Sequence, residues 1–339
     1  MSKTLRLSVV DQSPVRAGGT GADALRETIQ LAVLAESLGY HRYWVSEHHN
    51  SPEFAATSPA IMTGQIAAKT STLRVGSGGV LLSNYSALHV AESFRVLESL
   101  YPGRIDLGLG RSPGGDRRVV AALASSEREG RHYAEKLDDL VGFLTGNLSL
   151  ASPFAGIAAG PIGDQIPDIW LLGSGTASAE IAAQRGLALS LVHFLSDTNH
   201  GGPGIIAQYR RSFRPSPFLA EPRVNVAVSV LCAESKTIAE YLAWSLWFMR
   251  VRSARGQSGP IENPDYARAN ISANEMKYVN QSRQSDIVGD PSYVRGCLEH
   301  IAALYNVDDL SIITICHDFA ARARSYELVA QACGIRADS

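Results

Sequence analysis

The sequence predicts an α/β protein folded as a single (β/α)8 barrel. Short apolar runs of β type alternate with longer segments of helical period, which is the signature of parallel βαβ units. There are eight such runs in 339 residues, and eight units in one chain of this length favour a closed barrel. An open doubly wound sheet with a second domain would give the same alternation.

The elements follow in order. LRLSVV (5–10) precedes the helix-like ALRETIQLAVLAESLG, RYWVSE (42–47) precedes PAIMTGQIAAKTS, and LRVGSGGVLL (73–82) precedes ALHVAESFRVLESLYPG. RIDLGLG (104–110) leads through a polar loop to HYAEKLDDLVGFLTG, and IWLLG (169–173) leads to TASAEIAAQRG. LALSLVHF (187–194) precedes GIIAQYRRSF, and VNVAVSVLC (224–232) is paired with the helix KTIAEYLAWSLWFM. The last strand, DLSIITICH (309–317), follows SYVRGCLEHIAALY and leads into ARARSYELVAQACG. The chain 1–339 is therefore read as one domain. Two stretches, 145–168 and 251–290, exceed the usual loop length, and both are expected to form lids or walls over the active site. The Trp and Phe residues at 244–248 stand at helical spacing and read as core packing or a subunit contact.

Composition narrows the class. An apolar content of 45% and a formal net charge of −2 describe an ordinary globular protein without the basic field that draws proteins to nucleic acid or anionic membranes. A small-molecule partner is expected instead. MSKTLRLSVVDQSP lacks the features of a secretory signal, and no run of 18 apolar residues occurs, so a cytoplasmic location is expected. Cys232, Cys297, Cys316 and Cys333 lie far apart with no C-x-x-C, which argues against a disulfide framework or a zinc site.

In a (β/α)8 barrel the chemistry sits where the strands end. The apolar runs end at Asp11 and Gln12, Glu47 and His48, Gly78 and Gly79, Gly110 and Arg111, Gly173 and Ser174, His193, and His317 with Asp318. These histidines lack metal-ligand spacing, and of the adjacent His48 and His49 at most one faces the barrel axis. His193 and His317 read as hydrogen-bonded structural residues.

Three glycine-containing segments need separating. Gly110 to Gly114 matches G-x-S-x-G literally, but Pro113 follows the serine and has no N–H to serve as an oxyanion donor, which argues against an esterase. Gly108, Gly110, Gly114 and Gly115 miss the spacing of a dinucleotide fingerprint, so no nicotinamide site of Rossmann type is expected. Arg111 in this glycine-rich setting reads as an anion holder. Ser174-Gly175-Thr176-Ala177-Ser178 stands between a strand and a helix, where it either cradles a phosphate or merely caps the helix.

YWVSEHHN (43–50), the block 73–115, WLLGSGTASAEIAAQRG (170–186) and the terminal DDLSIITICHDFAARARSYELVA together resemble the bacterial-luciferase-like, flavin-dependent monooxygenases. The likeness spans nearly the whole chain apart from 251–285. It implies that His48 lies beside the flavin as acid or base, that a non-prolyl cis peptide at Gly78 and Gly79 lies against the isoalloxazine ring, and that Arg111 binds the flavin phosphate. It also implies a phosphate-binding turn at Gly173, Ser174, Gly175 and Ser178. Gly110 stands where the light-emitting subunits carry a reactive cysteine, and glycines replace their alanine pair at the cis peptide, so light emission is not expected.

The resemblance implies a two-component reaction. A separate reductase supplies FMNH2, oxygen forms a flavin C4a-hydroperoxide, and one oxygen atom passes to a small organic substrate. His48 would manage protons, a task suited to an imidazole with pKa near neutrality. The resemblance also makes a homodimer plausible. Two other readings share the fold: deazaflavin-dependent hydride transfer, and a flavin-binding protein without turnover.

Overall fold

A computed structural model describes residues 5–111, 117–123, 133–193 and 198–337. Its strands are β1 (Arg6–Asp11), β2 (Arg42–Val45), β3 (Arg74–Ser77) with its continuation β4 (Val80–Leu81), β5 (Ile105–Gly110), β6 (Asp168–Gly173), β7 (Ala188–Val192), β8 (Val224–Cys232), β9 (Asp286–Gly289) and β10 (Asp309–Ile313). Its helices are α1 (Gly21–Ser37), α2 (Pro59–Ala67), α3 (Ala87–Leu100), α4 (Arg117–Leu123), α5 (Tyr133–Thr145) and α6 (Thr176–Arg185), then α7 (Thr198–Ser212), α8 (Lys236–Ala254), α9 (Pro264–Ala269), α10 (Met276–Ser285), α11 (Pro291–Tyr305) and α12 (Phe319–Cys333).

The parallel order β10-β1-β2-β3-β5-β6-β7-β8 closes on itself through β8–β10 pairing. This is the closed eight-stranded barrel that the sequence predicts. Closure follows from the pleat: alternate residues of each strand pack outward against helices while the others fill the axis. Leu7, Val9, Leu107 and Leu109 belong to the large outer core, whereas Val10, Trp44, Trp170 and Ile313 belong to a second cluster.

The axis also carries charge. Arg42 Nε lies 3.0 Å from Asp106 and its Nη1 lies 2.6 Å from Asp309, all three side chains being buried. Trp44 Nε1 donates to Asp106 at 2.9 Å, Asn225 donates to Asp309 at 2.7 Å, and Ser190 donates to Asn225 at 3.0 Å. Bonds between strands that are not neighbours run through the interior, so this network plugs the barrel beneath its mouth.

Two expectations about organisation change. The helix after β8 was expected to be Lys236 onward, as an outer barrel helix. Instead α8, α9, α10 and β9 form a subassembly inserted at the C-terminal end of β8, and α11 packs beside α12 and α7 as the outer helix. Ile261 anchors this insertion, because it is fully buried and its backbone bonds to Val15 and Ala17. The stretch 145–168 joins α5 to the N-terminal end of β6, which is the end of the barrel opposite the mouth. A lid expected there is therefore misplaced. Arg95 pins the connection by donating to the carbonyls of Leu144, Pro161 and Gly163.

Candidate active site

The C-terminal ends of the strands gather the polar side chains. Among them His48 faces the mouth while Glu47 and His49 turn away, as the alternation of neighbouring residues requires. Glu47 is buried, and its Oε2 accepts from the Leu81 N–H at 2.9 Å. Its Oε1 accepts from the Tyr85 hydroxyl at 2.7 Å and lies 2.7 Å from His49 Nε2. Glu47 thus fastens β2 to the chain just after β3, and holds the backbone from which His48 projects.

His48 Nδ1 lies 3.1 Å from Ser46 Oγ, and its Nε2 lies 3.5 Å from Gln12 Nε2. An amide nitrogen facing Nε2 favours the tautomer in which Nδ1 carries the proton and donates to the serine. The ring packs on Phe54, with centroids 4.6 Å apart. Burial pushes the His48 pKa down to about 4, with the neighbouring His49 adding to the effect. An imidazole near neutrality was expected here; desolvation of the cation instead keeps the ring neutral.

The Gly78–Gly79 peptide bond is cis. A Cβ on Gly79 would stand 2.7 Å from the Gly108 carbonyl oxygen, so no side chain fits between these strands. Further along β5, Gly110 pairs with Leu172 of β6, which brings Arg111 and Gly173 to the ends of adjacent strands. Arg111 is exposed. The residues 112–114 of the G-x-S-x-G match lie outside the described residues.

Of the two readings of the 174–178 segment, simple capping by Ser174 or Thr176 is not what is found. The N-cap of α6 is Gly175, in extended conformation, which has no side chain with which to cap the first turn. The N–H groups of a helix's first turn point out of its N-terminal end together with the positive end of the helix dipole. Ser178 is buried and fits against Gly173, where a Cβ would meet its Oγ at 2.3 Å. Sequence reasoning missed Tyr133 at the start of α5. Its hydroxyl is buried without a hydrogen-bond partner. Burial raises its pKa while the positive charges of Arg111 and Arg185 oppose the rise. No motif marks it; only the fold brings it beside Arg111.

A cleft of about 440 Å³ opens between the ends of β1, β8 and the helices α8 and α10. Gln12, Glu53 and Phe54 line it, and Gln12 and Phe54 connect it to His48. Leu246, Met249, Ile313 and Ile315 supply its apolar surface. A larger cavity of about 600 Å³ lies at the opposite end, under the 145–168 connection, away from every strand-end residue named above. His193 Nδ1 lies 2.8 Å from the Tyr305 hydroxyl, and His317 Nε2 lies 3.2 Å from the Ala17 carbonyl oxygen. Among the described residues no group of three or more His, Cys, Asp or Glu is placed to hold a metal ion, and no helix is long and apolar enough to cross a membrane.

A parallel barrel with a histidine, an arginine and an open helix N-terminus at one mouth has the architecture of a (β/α)8 enzyme. The sequence profile of the luciferase-like monooxygenases matches residues 5–306, and the chain belongs to that family. YwcH of Bacillus subtilis (strain 168) is 42% identical over 331 residues, covering 96% of this chain and 98% of its own. An N-acetyl-S-alkylcysteine monooxygenase from the same strain is 34% identical, covering 97% of this chain and 98% of its own. The crystal structure of apo-MsnO8 superposes with a TM-score of 0.87 at 36% identity, covering 98% of this chain and 99% of that one.

Proposed function

We infer that this protein is a monooxygenase that receives FMNH2 from a separate flavin reductase and uses molecular oxygen to oxygenate a small organic substrate at the barrel mouth. The observation that carries this reading is the uncapped N-terminus of α6 beside Arg111. Free N–H groups, the hydroxyl of Ser174, a guanidinium and the unpartnered Tyr133 hydroxyl make a donor set suited to a phosphomonoester. Gly78, Gly79 and Gly110 offer bare backbone on which a flat ring system can lie. The residues present therefore fit FMN.

Bound FMNH2 supplies the two electrons and the activation of oxygen. The chain supplies position, dryness and proton control. Arg111, Gly173, Ser174, Gly175 and Ser178 hold the phosphate end. His48, kept neutral by burial, offers Nε2 as a proton acceptor, with Ser46 and Gln12 fixing the ring. Phe54 and the apolar side of the cleft exclude water from the reacting atoms.

The test separates electron supply from oxygenation. NADH and FMN mixed with the purified chain should leave NADH unoxidised. Adding a flavin reductase should start oxygen uptake, with FMNH2 bound by the chain reoxidised at a rate different from that of free FMNH2. Rapid NADH oxidation by the chain alone, or identical reoxidation of free and bound FMNH2, contradicts the proposal.

A further inference from the structure

The mouth cleft contains a carboxylate oxygen that no group among the described residues answers. Glu53 lines the cleft, and its Oε2 is buried without a hydrogen-bond partner. Its backbone is firmly held: the Glu53 carbonyl accepts from Val15 N at 2.8 Å, and Ala55 N donates to the Ser13 carbonyl at 2.9 Å. The orphaned oxygen thus belongs to a fixed part of the wall. Arg250, the other charged residue lining the cleft, is already engaged. It donates to both carboxylate oxygens of Asp286 at 2.7 Å each, so this pair is neutral as a unit.

The remaining lining is uncharged. Gln12, Tyr278 and Gln281 supply polar groups, and Leu246, Met249 and Ile315 are among the apolar ones. The cleft therefore presents one uncompensated negative charge above a hydrocarbon surface. Glu53 is half-buried, and a donor placed in the cleft would complete the hydrogen bonding of its inward oxygen. An alkylammonium group satisfies it best, because a charged donor makes the stronger hydrogen bond and its chain covers the apolar wall.

We propose that Glu53 is the specificity-determining anchor of the mouth cleft and binds the ammonium group of an aliphatic amine substrate. This rests on the reading that the cleft beside His48 receives the substrate. It adds a chemical class and an orientation: the amine end at Glu53, the hydrocarbon along Leu246, Met249 and Ile315.

The test uses n-hexylammonium, hexanol and hexanoate as probes, titrated into the purified full chain and followed by saturation-transfer NMR and calorimetry. Hexylammonium should bind at least about tenfold more tightly than hexanol, and hexanoate more weakly than either. Glu53→Gln should abolish the preference for the amine over the alcohol, while Glu53→Asp retains part of it; circular dichroism checks that both variants are folded. Equal binding of amine and alcohol, an amine preference that survives in Glu53→Gln, or no binding of any probe overturns the proposal. No flavin or oxygen enters this measurement, so its failure leaves the FMN reading to its own test, and failure of that test leaves this one intact.

Discussion

The Ser46 hydroxyl and His48 Nδ1 stand 3.1 Å apart, two residues from each other at the end of β2. The contact orients the ring, while burial, with the neighbouring His49, ties the protonation of the imidazole to the folded state. Burial lowers the His48 pKa from 6.5 to about 4, so between those values the unfolded chain takes up a proton that the folded chain refuses. Stability is therefore lost as pH falls from 6.5 towards 4, by an amount on the order of 3 kcal/mol from this group, and the loss levels off below 4. NMR titration of the His48 ring should give a midpoint near 4, and a midpoint near 6.5 contradicts the burial argument.

Replacing His48 by alanine should lower turnover by roughly 10²–10⁴-fold while FMNH2 still binds, because the phosphate end is held on other strands. Single-turnover kinetics with saturating FMNH2 separates the two effects. Unchanged turnover would remove His48 from the chemistry and leave the fold untouched.

The barrel plug gives a prediction about stability alone. Burial by itself would raise the Asp106 carboxyl, but Arg42 and Arg74 hold it below its ordinary value. Arg42→Met leaves Asp106 and Asp309 buried without their shared partner and should cost about 3–5 kcal/mol. Urea unfolding measures it; a midpoint equal to that of the wild type would show that the network contributes nothing.

The glycines divide into close-packed and open positions. A Cβ on Gly108 would stand 2.0 Å from the Ser77 carbonyl oxygen and 2.9 Å from Leu172 Cδ1, whereas one on Gly175 meets nothing within 4 Å. Gly108→Ala should force β3 and β5 apart and cost about 1–3 kcal/mol or more. Gly175→Ala should change stability by no more than about 1 kcal/mol. Thermal unfolding of the pair checks the contrast, which fails if the two variants melt alike.

The eight barrel strands are legible in the sequence because each is a short β-type run followed by a turn and a helical period. The order in which they close, β10 against β8 and β1, follows from that repetition. The role of α8 is not legible. Its apolar residues stand at helical spacing just where a barrel helix is due after β8, yet Trp247 and Phe248 are buried within the inserted subassembly. Length alone could not say which end of the barrel 145–168 occupies; only its place between a helix and the start of a strand does. Of the proposed site, His48, the glycine pair and the 173–178 turn sit in recognisable motifs. Tyr133 and Glu53 do not, because what distinguishes them is an unanswered polar atom, and that exists only after folding.

Tyr133→Phe is a sharper test of the phosphate end than any change to a bonded residue. The hydroxyl has no partner among the described residues, so its removal should leave stability equal to or slightly above that of the wild type without flavin. It should weaken FMNH2 binding by about 1 kcal/mol, roughly five- to tenfold. Equal affinity in the two proteins would exclude the hydroxyl from the site.

In the proposed reaction reduced FMN is held by its phosphate at Arg111 and the open end of α6. The direct measurement is anaerobic fluorescence titration of FMNH2, and of a reduced deazaflavin, into the wild type and Arg111→Ser. The wild type should bind FMNH2 saturably and in preference to the deazaflavin, and Arg111→Ser should bind it at least about tenfold more weakly with unfolding unchanged. Undiminished FMNH2 binding by Arg111→Ser, or tighter binding of the deazaflavin by the wild type, would contradict this reading.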